Sequence, residues 1–104
     1  MSQAMGRLWV RFLPEIRARV AILEAAAEAV AAQNLTLSDQ EAAKAAAHKL
    51  AGVLGTFDLA RGTDLARELE ATYSRESVPG RDSAKKLTSA AVDLRAMIET
   101  RKSM

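Results

Sequence analysis

Apolar residues recur along most of this chain every three or four positions, the spacing that places them on one face of an α-helix. In residues 14–32 the apolar stripe consists of Ile16, Val20, Leu23, Ala27 and Val30. Near the C-terminus the same spacing links Leu87, Ala91, Leu94 and Ile98. No segment shows the alternation of apolar and polar residues that is typical of a half-buried β-strand. The pattern therefore predicts an all-α chain.

Prolines, glycines and polar segments divide this pattern into five predicted helices. The first helix is short and covers residues 3–13. Its apolar side is formed by Leu8, Trp9, Phe12 and Leu13. Pro14 then suits the first turn of a second helix, because the N–H that proline lacks has no partner there. The second helix should extend to about residue 32, before the polar segment QNLTLSD.

Three further helices are predicted after this segment. Ser38, with Glu41 three residues later, is typical of a capping box and predicts the start of the third helix. Asp58 is predicted to cap the fourth helix. The apolar face of that helix is formed by Leu59, Leu65, Leu69 and Tyr73. The proline and glycine of SVPG separate it from the fifth helix.

The connections between the predicted helices are short, so neighbouring helices should be antiparallel. Residues 1–104 are therefore expected to form a single domain. The expected fold is an antiparallel up-down bundle of four long helices, with the short first helix packed on its end.

Composition supports closely packed helices and narrows the possible functions. Apolar residues make up 49% of the chain and aromatic residues only 4%, and alanine, the strongest helix former, dominates. The chain has no cysteine and one histidine, which excludes disulfides and thiolate sites and argues against a transition-metal site. The net charge of +2 is spread without the basic clusters of a nucleic-acid-binding surface.

Membrane insertion is not expected from the sequence. No run approaches the ~20 apolar residues of a membrane-spanning helix, and the N-terminus lacks the apolar core of a signal peptide. Together with the lack of cysteine, this favours a cytoplasmic location.

The single histidine, His48, lies inside the predicted third helix. The apolar stripe of that helix falls about 160–240° away from it on a helical wheel. The stripe consists of Ala43, Ala46, Leu50, Leu54 and Phe57. Lys44, Gly52 and Gly55 fall within about 40° of His48, and Ala51 within about 60°. His48 is therefore predicted to lie on the outer face, among small residues and one lysine.

Gly52 and Gly55 are unusual in this helix, since a glycine inside a helix costs roughly 0.5–1 kcal/mol relative to alanine. A histidine that is merely exposed gives no reason for that cost. Glycine lets a backbone be approached closely. The pair therefore indicates close contact, either with another helix of the chain or with a second protein that comes near His48.

The segment HKLAGVLGTF resembles the phosphoacceptor motif of histidine-containing phosphotransfer (HPt) domains, which are helical intermediates of two-component phosphorelays. The matching positions are His48, Leu50, Gly52, Gly55, Thr56 and Phe57. The resemblance continues through LARGTDLARELE in the next helix. It agrees with the bundle that is predicted for the rest of the chain.

Two positions depart from the family pattern. Ala51 stands where the family often has a lysine that neutralises phosphate charge. Lys44, one turn before the histidine, or the neighbouring Lys49 could supply the charge instead, and Lys44 is better placed on the wheel. Asp58 stands where glycine is usual, and as a helix cap it is expected to have only a local effect.

The resemblance implies that Nε2 of His48 accepts a phosphoryl group from a phospho-aspartate or a kinase and passes it to an aspartate of a receiver domain. A neutral imidazole can act as the nucleophile in such a step. Glu70 in the following helix is implied to hold Nδ1 by a hydrogen bond. Ala51, Gly52 and Gly55 are implied to leave room for the active site of the partner.

The implied partners are a response-regulator receiver domain, a hybrid histidine kinase, or both. The chain is expected to be a monomer that binds no metal or other cofactor, and Mg²⁺ is expected on the receiver domain. The sequence contains no nucleotide-binding loop, so an autonomous kinase is not predicted.

A helical adaptor that binds a receiver or a sensor kinase without accepting phosphate is the main alternative. Ala51 favours it slightly, whereas His48 and Gly52 argue against it. General acid–base catalysis by Glu68 and Glu70 is not indicated, because the two fall on different faces of the fourth helix. A helix that lies on a membrane would need larger apolar side chains and a sharply divided basic face.

Overall fold

The computed structural model describes residues 3–75 and 78–101 of the 104-residue chain. These residues form four α-helices. They are α1 (Gln3–Ala31), α2 (Leu37–Thr56), α3 (Ala60–Tyr73) and α4 (Ala84–Thr100), with a 3-10 turn at Arg81–Ser83 leading into α4. No strand occurs in the described ranges, so the predicted all-α class is confirmed.

Each helix packs against its neighbour in the chain, and α1 also packs against α4, so the four helices enclose one core. The apolar stripes predicted for residues 14–32, for the His48 helix and for the last helix are buried there and are confirmed. The largest fully buried side chains are Trp9, Tyr73, Ile16, Leu23, Leu50, Leu54, Leu94, Ile98, Val20 and Val30. No helix in the described part of the chain combines the length and hydropathy needed to cross a bilayer.

The predicted break at Pro14 is wrong, because residues 3–31 form one helix, and no separate short helix precedes it among the described residues. A proline inside a helix removes one backbone hydrogen bond and normally kinks or ends the helix. Trp9 and Ile16 lie on the same face on either side of Pro14, and both are fully buried. We attribute the continuous helix to this packing. Leu8 and Phe12, which were expected on the apolar side, are instead 39% and 37% exposed.

The capping box of α2 lies two residues earlier than predicted. Thr36 is the N-cap, with extended backbone, and its hydroxyl accepts a hydrogen bond from the N–H of Asp39 at 3.0 Å. The Asp39 carboxylate in turn accepts one from the N–H of Thr36 at 3.2 Å. The residue pair at 36 and 39 has the same spacing as Ser38 and Glu41, so the pattern alone did not separate the two starts.

Asp58 does not cap α3, contrary to the prediction; it closes α2 instead. Its φ of 60° is left-handed, and its N–H donates to the carbonyl of Gly55 while the N–H of Leu59 donates to that of Leu54. These two bonds form a Schellman motif, whose left-handed position favours glycine. The usual glycine of the family at this position is thereby explained. Gln33, with φ of 58°, ends α1 in the same way.

Two charge-paired arginines join α1 to α4. Arg17 donates two hydrogen bonds to Glu99, at 2.8 and 2.7 Å, and Arg95 donates two to Glu24, at 3.1 and 2.7 Å. A third contact, of 3.6 Å between Arg95 and Glu99, links the two pairs into one network. The hydrogen bonds from Arg17 hold the pKa of the Glu99 carboxyl below its ordinary value of 4.5.

Candidate functional site

His48 lies in the second half of α2 on the face opposite the core, as the helical wheel predicts. Its side chain is 73% exposed, whereas the stripe on the other side of the helix is buried. The imidazole is therefore open to any molecule that approaches this face of the bundle.

Glu70, in the last turn of α3, lies beside His48. Its Oε2 is 2.9 Å from Nδ1 of the imidazole. A carboxylate can only accept a hydrogen bond, so a neutral ring in this contact carries its proton on Nδ1. The lone pair of the neutral ring is then on Nε2, the nitrogen that the contact leaves available.

Both predicted lysines line a shallow, open depression beside the histidine. Its lining residues are Glu41, Lys44, Ala45, His48, Lys49 and Glu70. Lys44 is half-buried and Lys49 is exposed. The rim therefore combines two positive and two negative side chains around one imidazole.

Ala51 does not lie on the outer face beside His48. It is only 7% exposed, because its position on α2 turns toward the interior of the bundle. The position where the family often has lysine therefore contributes neither a charge nor an accessible surface here. Any positive charge near the imidazole on α2 has to come from the two lysines of the depression.

Gly52 and Gly55 are exposed on the His48 face of α2. A Cβ built at Gly52 would meet nothing within 4 Å, and one at Gly55 would lie 3.7 Å from Thr63 Oγ1, an ordinary contact. At Gly62 in α3, by contrast, a Cβ would come within 3.1 Å of Leu54 Cδ1. Close helix packing thus explains Gly62, which was not singled out from the sequence. Packing within the described part of the chain does not require glycine at positions 52 and 55.

Gln40 is a buried polar residue that the sequence analysis missed. It lies in the first turn of α2, and its Nε2 donates to the carbonyls of Tyr73, at 3.0 Å, and Arg75, at 2.9 Å. A glutamine in the first turn of a helix is normally exposed, so nothing in the sequence indicates that Gln40 is buried. Among the described residues, the buried Tyr73 hydroxyl has no hydrogen-bond partner, and burial raises the pKa of Tyr73 to about 12.

A search of the described ranges finds no group of three or more histidine, cysteine, aspartate or glutamate side chains that could hold a metal ion. The chemistry that the site itself offers is that of one exposed imidazole, with a carboxylate 2.9 Å from Nδ1 and with two lysines lining the same depression.

The chain matches a known protein family. The family described as "Hpt domain" matches residues 7–103, nearly the whole chain. No curated protein and no solved structure matches the chain significantly. The matched range contains His48, Glu70, both lysines and both exposed glycines, so it includes the entire candidate site.

Proposed function

We propose that this chain, which belongs to the Hpt domain family, carries a phosphoryl group on Nε2 of His48 and exchanges it with an aspartate of a receiver domain. Membership of the family implies histidine phosphotransfer in two-component phosphorelays, without intrinsic kinase activity. One observation carries the assignment to His48. Its ring is largely exposed, and its Nδ1 is within hydrogen-bonding distance of Glu70.

In the accepting step, the lone pair of Nε2 attacks the phosphorus of an aspartyl phosphate. The P–N bond forms as the P–O bond to the aspartate breaks, which leaves a free carboxylate on the donor. The phosphorylated ring keeps its proton on Nδ1 and carries a positive charge, which the carboxylate of Glu70 at 2.9 Å stabilises. The donating step reverses these bond changes.

Lys44 and Lys49 are proposed to balance the charge of the phosphoryl group. Phosphoryl transfer depends mainly on positioning and on electrostatic stabilisation of the transferring group. Both lysines line the depression that contains His48, and the half-buried Lys44 is the more restricted of the two. The Mg²⁺ of the reaction is assigned to the receiver domain.

The partner surface is proposed to extend from α2 onto α1. Leu8, Phe12 and Ile22, here called the α1 strip, are partly exposed and fall within about 80° of one another on the helical wheel. Ile22 lines a groove with Asp39 and Ala42 of α2, so the strip is on the side of α1 that adjoins α2. Glu15 and Arg19 fall in the same sector of the wheel, so the strip offers a protein partner both apolar and charged side chains.

We also propose that the four helices follow one another in an antiparallel, up-down order. An up-down order of the four helices is supported by contacts across them, since Arg17 meets Glu99 while Glu24, further along α1, meets Arg95, earlier in α4. In the same sense, Gly55 near the end of α2 adjoins Thr63 near the start of α3. A cytoplasmic monomer is the expected form of the protein.

The deciding experiment is intact-mass measurement after incubation with phosphoramidate, a small-molecule donor that phosphorylates accessible histidines. The wild-type chain should gain one acid-labile phosphoryl group, and His48→Gln should gain none. Circular dichroism of both proteins controls for the fold. An adduct that persists in the variant would assign the phosphate to another residue.

The adaptor alternative is tested in the same series, because the lack of a lysine at position 51 is the one observation that favours it. A folded wild-type chain that stays unmodified by phosphoramidate and by a phosphorylated receiver would overturn phosphotransfer. If that chain still bound the receiver, the adaptor function would be supported instead.

A further inference from the structure

The contact between Gln40 and the end of α3 is a buried polar interaction between two helices, made by Nε2 of the amide, whereas Oε1 has no partner among the described residues. Gln40 is only 6% exposed, and both hydrogens of its amide can be used, one for the carbonyl of Tyr73 and one for that of Arg75. Only Nε2 can donate, so the presence of two carbonyl acceptors fixes which way the amide faces. Its orientation therefore follows from chemistry.

The carbonyl of Tyr73 is one of the last four in α3, and such carbonyls have no partner within the helix. Gln40 supplies that partner from α2, so a side chain of one helix caps the C-terminus of the next. Helix ends fray more readily than helix centres, unless such groups are satisfied. The cap therefore stabilises the last turn of α3.

Glu70 belongs to that same last turn. It precedes Tyr73 by three residues, and its carbonyl accepts a hydrogen bond from the Ser74 hydroxyl at 2.6 Å. The position of the Glu70 carboxylate relative to His48 thus depends on the same few residues that Gln40 ties to α2. Gln40 and His48 both lie on α2, so one helix carries both the imidazole and the amide that holds the end of α3.

We infer that Gln40 is a positioning residue for the phosphoryl acceptor. By capping α3, it holds the Glu70 carboxylate at Nδ1 of His48 and so keeps the proton on Nδ1 and the lone pair on Nε2. The inference rests on the proposed function for its catalytic meaning, but the hydrogen bonds that it describes can be tested without phosphate.

The test replaces Gln40 with methionine, which has a similar length and no donor. The readout is the tautomer of His48, measured from the imidazole nitrogens by two-dimensional ¹H–¹⁵N NMR at a pH where the ring is neutral. We expect Gln40→Met to shift the population from the Nδ1–H tautomer toward the mixture found in Glu70→Gln. The rate of phosphorylation by phosphoramidate should be highest in wild type, lower in Gln40→Met and lowest in Glu70→Gln.

Thr63→Val is the matched control. Like Gln40, Thr63 is polar and buried. It lies in α3, and its hydroxyl donates to the carbonyl of Leu59, at the end of α3 that is far from Glu70. This variant should lose stability without changing the tautomer. If Gln40→Met fails to fold, Gln40→Asn keeps an amide that is one methylene shorter, and the same shift in smaller measure is expected.

The outcomes separate the two proposals. A folded Gln40 variant with the wild-type tautomer and wild-type rate overturns the positioning role, even if His48 is phosphorylated. A tautomer shift in a protein whose wild type never accepts phosphate supports the positioning role and overturns the proposed function. An equal tautomer shift in Thr63→Val would show that any loss of stability moves the imidazole, and would also overturn the inference.

Discussion

At the scale of single residues, the site centres on the contact between Nδ1 of His48 and the carboxylate of Glu70. The wheel alone put His48 opposite the apolar stripe, and the structure agrees. The pairing with Glu70 was implied only by the family resemblance, because no local pattern distinguishes Glu70 from Glu68. The structure places Glu70 2.9 Å from the imidazole, and its role there stays a prediction.

Glu70→Gln should slow phosphorylation of His48 by phosphoramidate roughly tenfold. A hydrogen bond to a charged group contributes about 1.5–3 kcal/mol, the exposure of this pair puts it at the lower end, and 1.4 kcal/mol corresponds to a factor of ten in rate. The measurement is the rate of appearance of the acid-labile adduct by mass spectrometry. Glu68→Gln is the control, and an equal slowing in both variants would contradict the role of Glu70.

Asp58 shows where a residue-level pattern was insufficient. An aspartate before a helix predicts an N-cap. Only three residues separate α2 from α3, however, and Asp58 adopts the left-handed conformation that ends α2. Asp58→Gly should therefore stabilise the protein by about 1 kcal/mol, since glycine adopts a left-handed φ without the cost paid by other residues.

Urea denaturation of Asp58→Gly measures that gain as a higher midpoint. The same substitution at Asp64, an exposed position inside α3, is the control. Glycine is less favourable there, so the midpoint should fall. A lower midpoint for Asp58→Gly would show that the aspartate side chain makes a stabilising contribution beyond its backbone conformation.

At the scale of the helices, α2 buries one face in the core and leaves Gly52 and Gly55 exposed on the other. Gly52→Ala and Gly55→Ala should each raise the free energy of unfolding by about 0.5–1 kcal/mol, because both Cβ positions have room and alanine favours helix. The same variants should slow transfer from a phosphorylated receiver, since a methyl group would separate the two surfaces.

Gly62→Ala is the matched control for these variants, because its Cβ would press against Leu54. It should lower the free energy of unfolding instead. Thermal unfolding and transfer assays on the three proteins separate the two effects. Unchanged transfer rates in the stabilised variants would show that the exposed glycines serve no partner.

The α1 strip gives a second prediction at this scale. Phe12→Asp should reduce the rate of transfer from a receiver, because it places a charge in the proposed apolar contact, while phosphorylation by phosphoramidate stays unchanged. Val92→Asp, at an exposed apolar position on α4, is the control. If both variants reduced transfer equally, the strip would have no special part in docking.

Three of the helices were predictable, because the apolar stripes of residues 14–32, of the His48 helix and of the last helix are all buried. The continuation of α1 through Pro14 was not predictable. A local rule ends the helix there, but the burial of Trp9 and Ile16 on one continuous face outweighs the lost hydrogen bond. Leu8 and Phe12 are surface residues for the same reason, since a continuous α1 that buries Trp9 and Ile16 turns them away from the core.

At the scale of the whole molecule, the charge network between α1 and α4 makes stability depend on pH. The hydrogen bonds from Arg17 lower the pKa of Glu99, so its contribution to stability is complete above pH 4.5 and is lost as the pH falls through the lower folded value. Glu99→Gln should therefore be less stable than wild type near pH 7, and the difference should shrink in acid.

Urea denaturation at several pH values and at low salt tests this, because salt screens exposed pairs. Arg17→Met is the matched variant, since it removes the first cause of the shift. In its background, Glu99→Gln should change the pH dependence less. A difference between wild type and Glu99→Gln that grows in acid would contradict the assignment.

Stripe spacing could not reveal this network, since Arg17, Glu24, Arg95 and Glu99 look like ordinary exposed charges along the sequence. The same holds for Gln40. Pairings between helices depend on how the helices turn relative to one another, and only the assembled bundle fixes that rotation.

The exposure of His48 also affects how long a phosphoryl group would remain on it. No lid or pocket wall of the described chain shelters an imidazole that is 73% exposed, so water reaches a phosphorylated ring as freely as a partner does. If His48 carries the phosphoryl group as proposed, the survival of that group depends on the intrinsic hydrolysis of a phosphoimidazole and on how soon a receiver arrives. When receivers are abundant, transfer precedes hydrolysis. When receivers are scarce, the phosphoryl group is lost to water before it can be transferred.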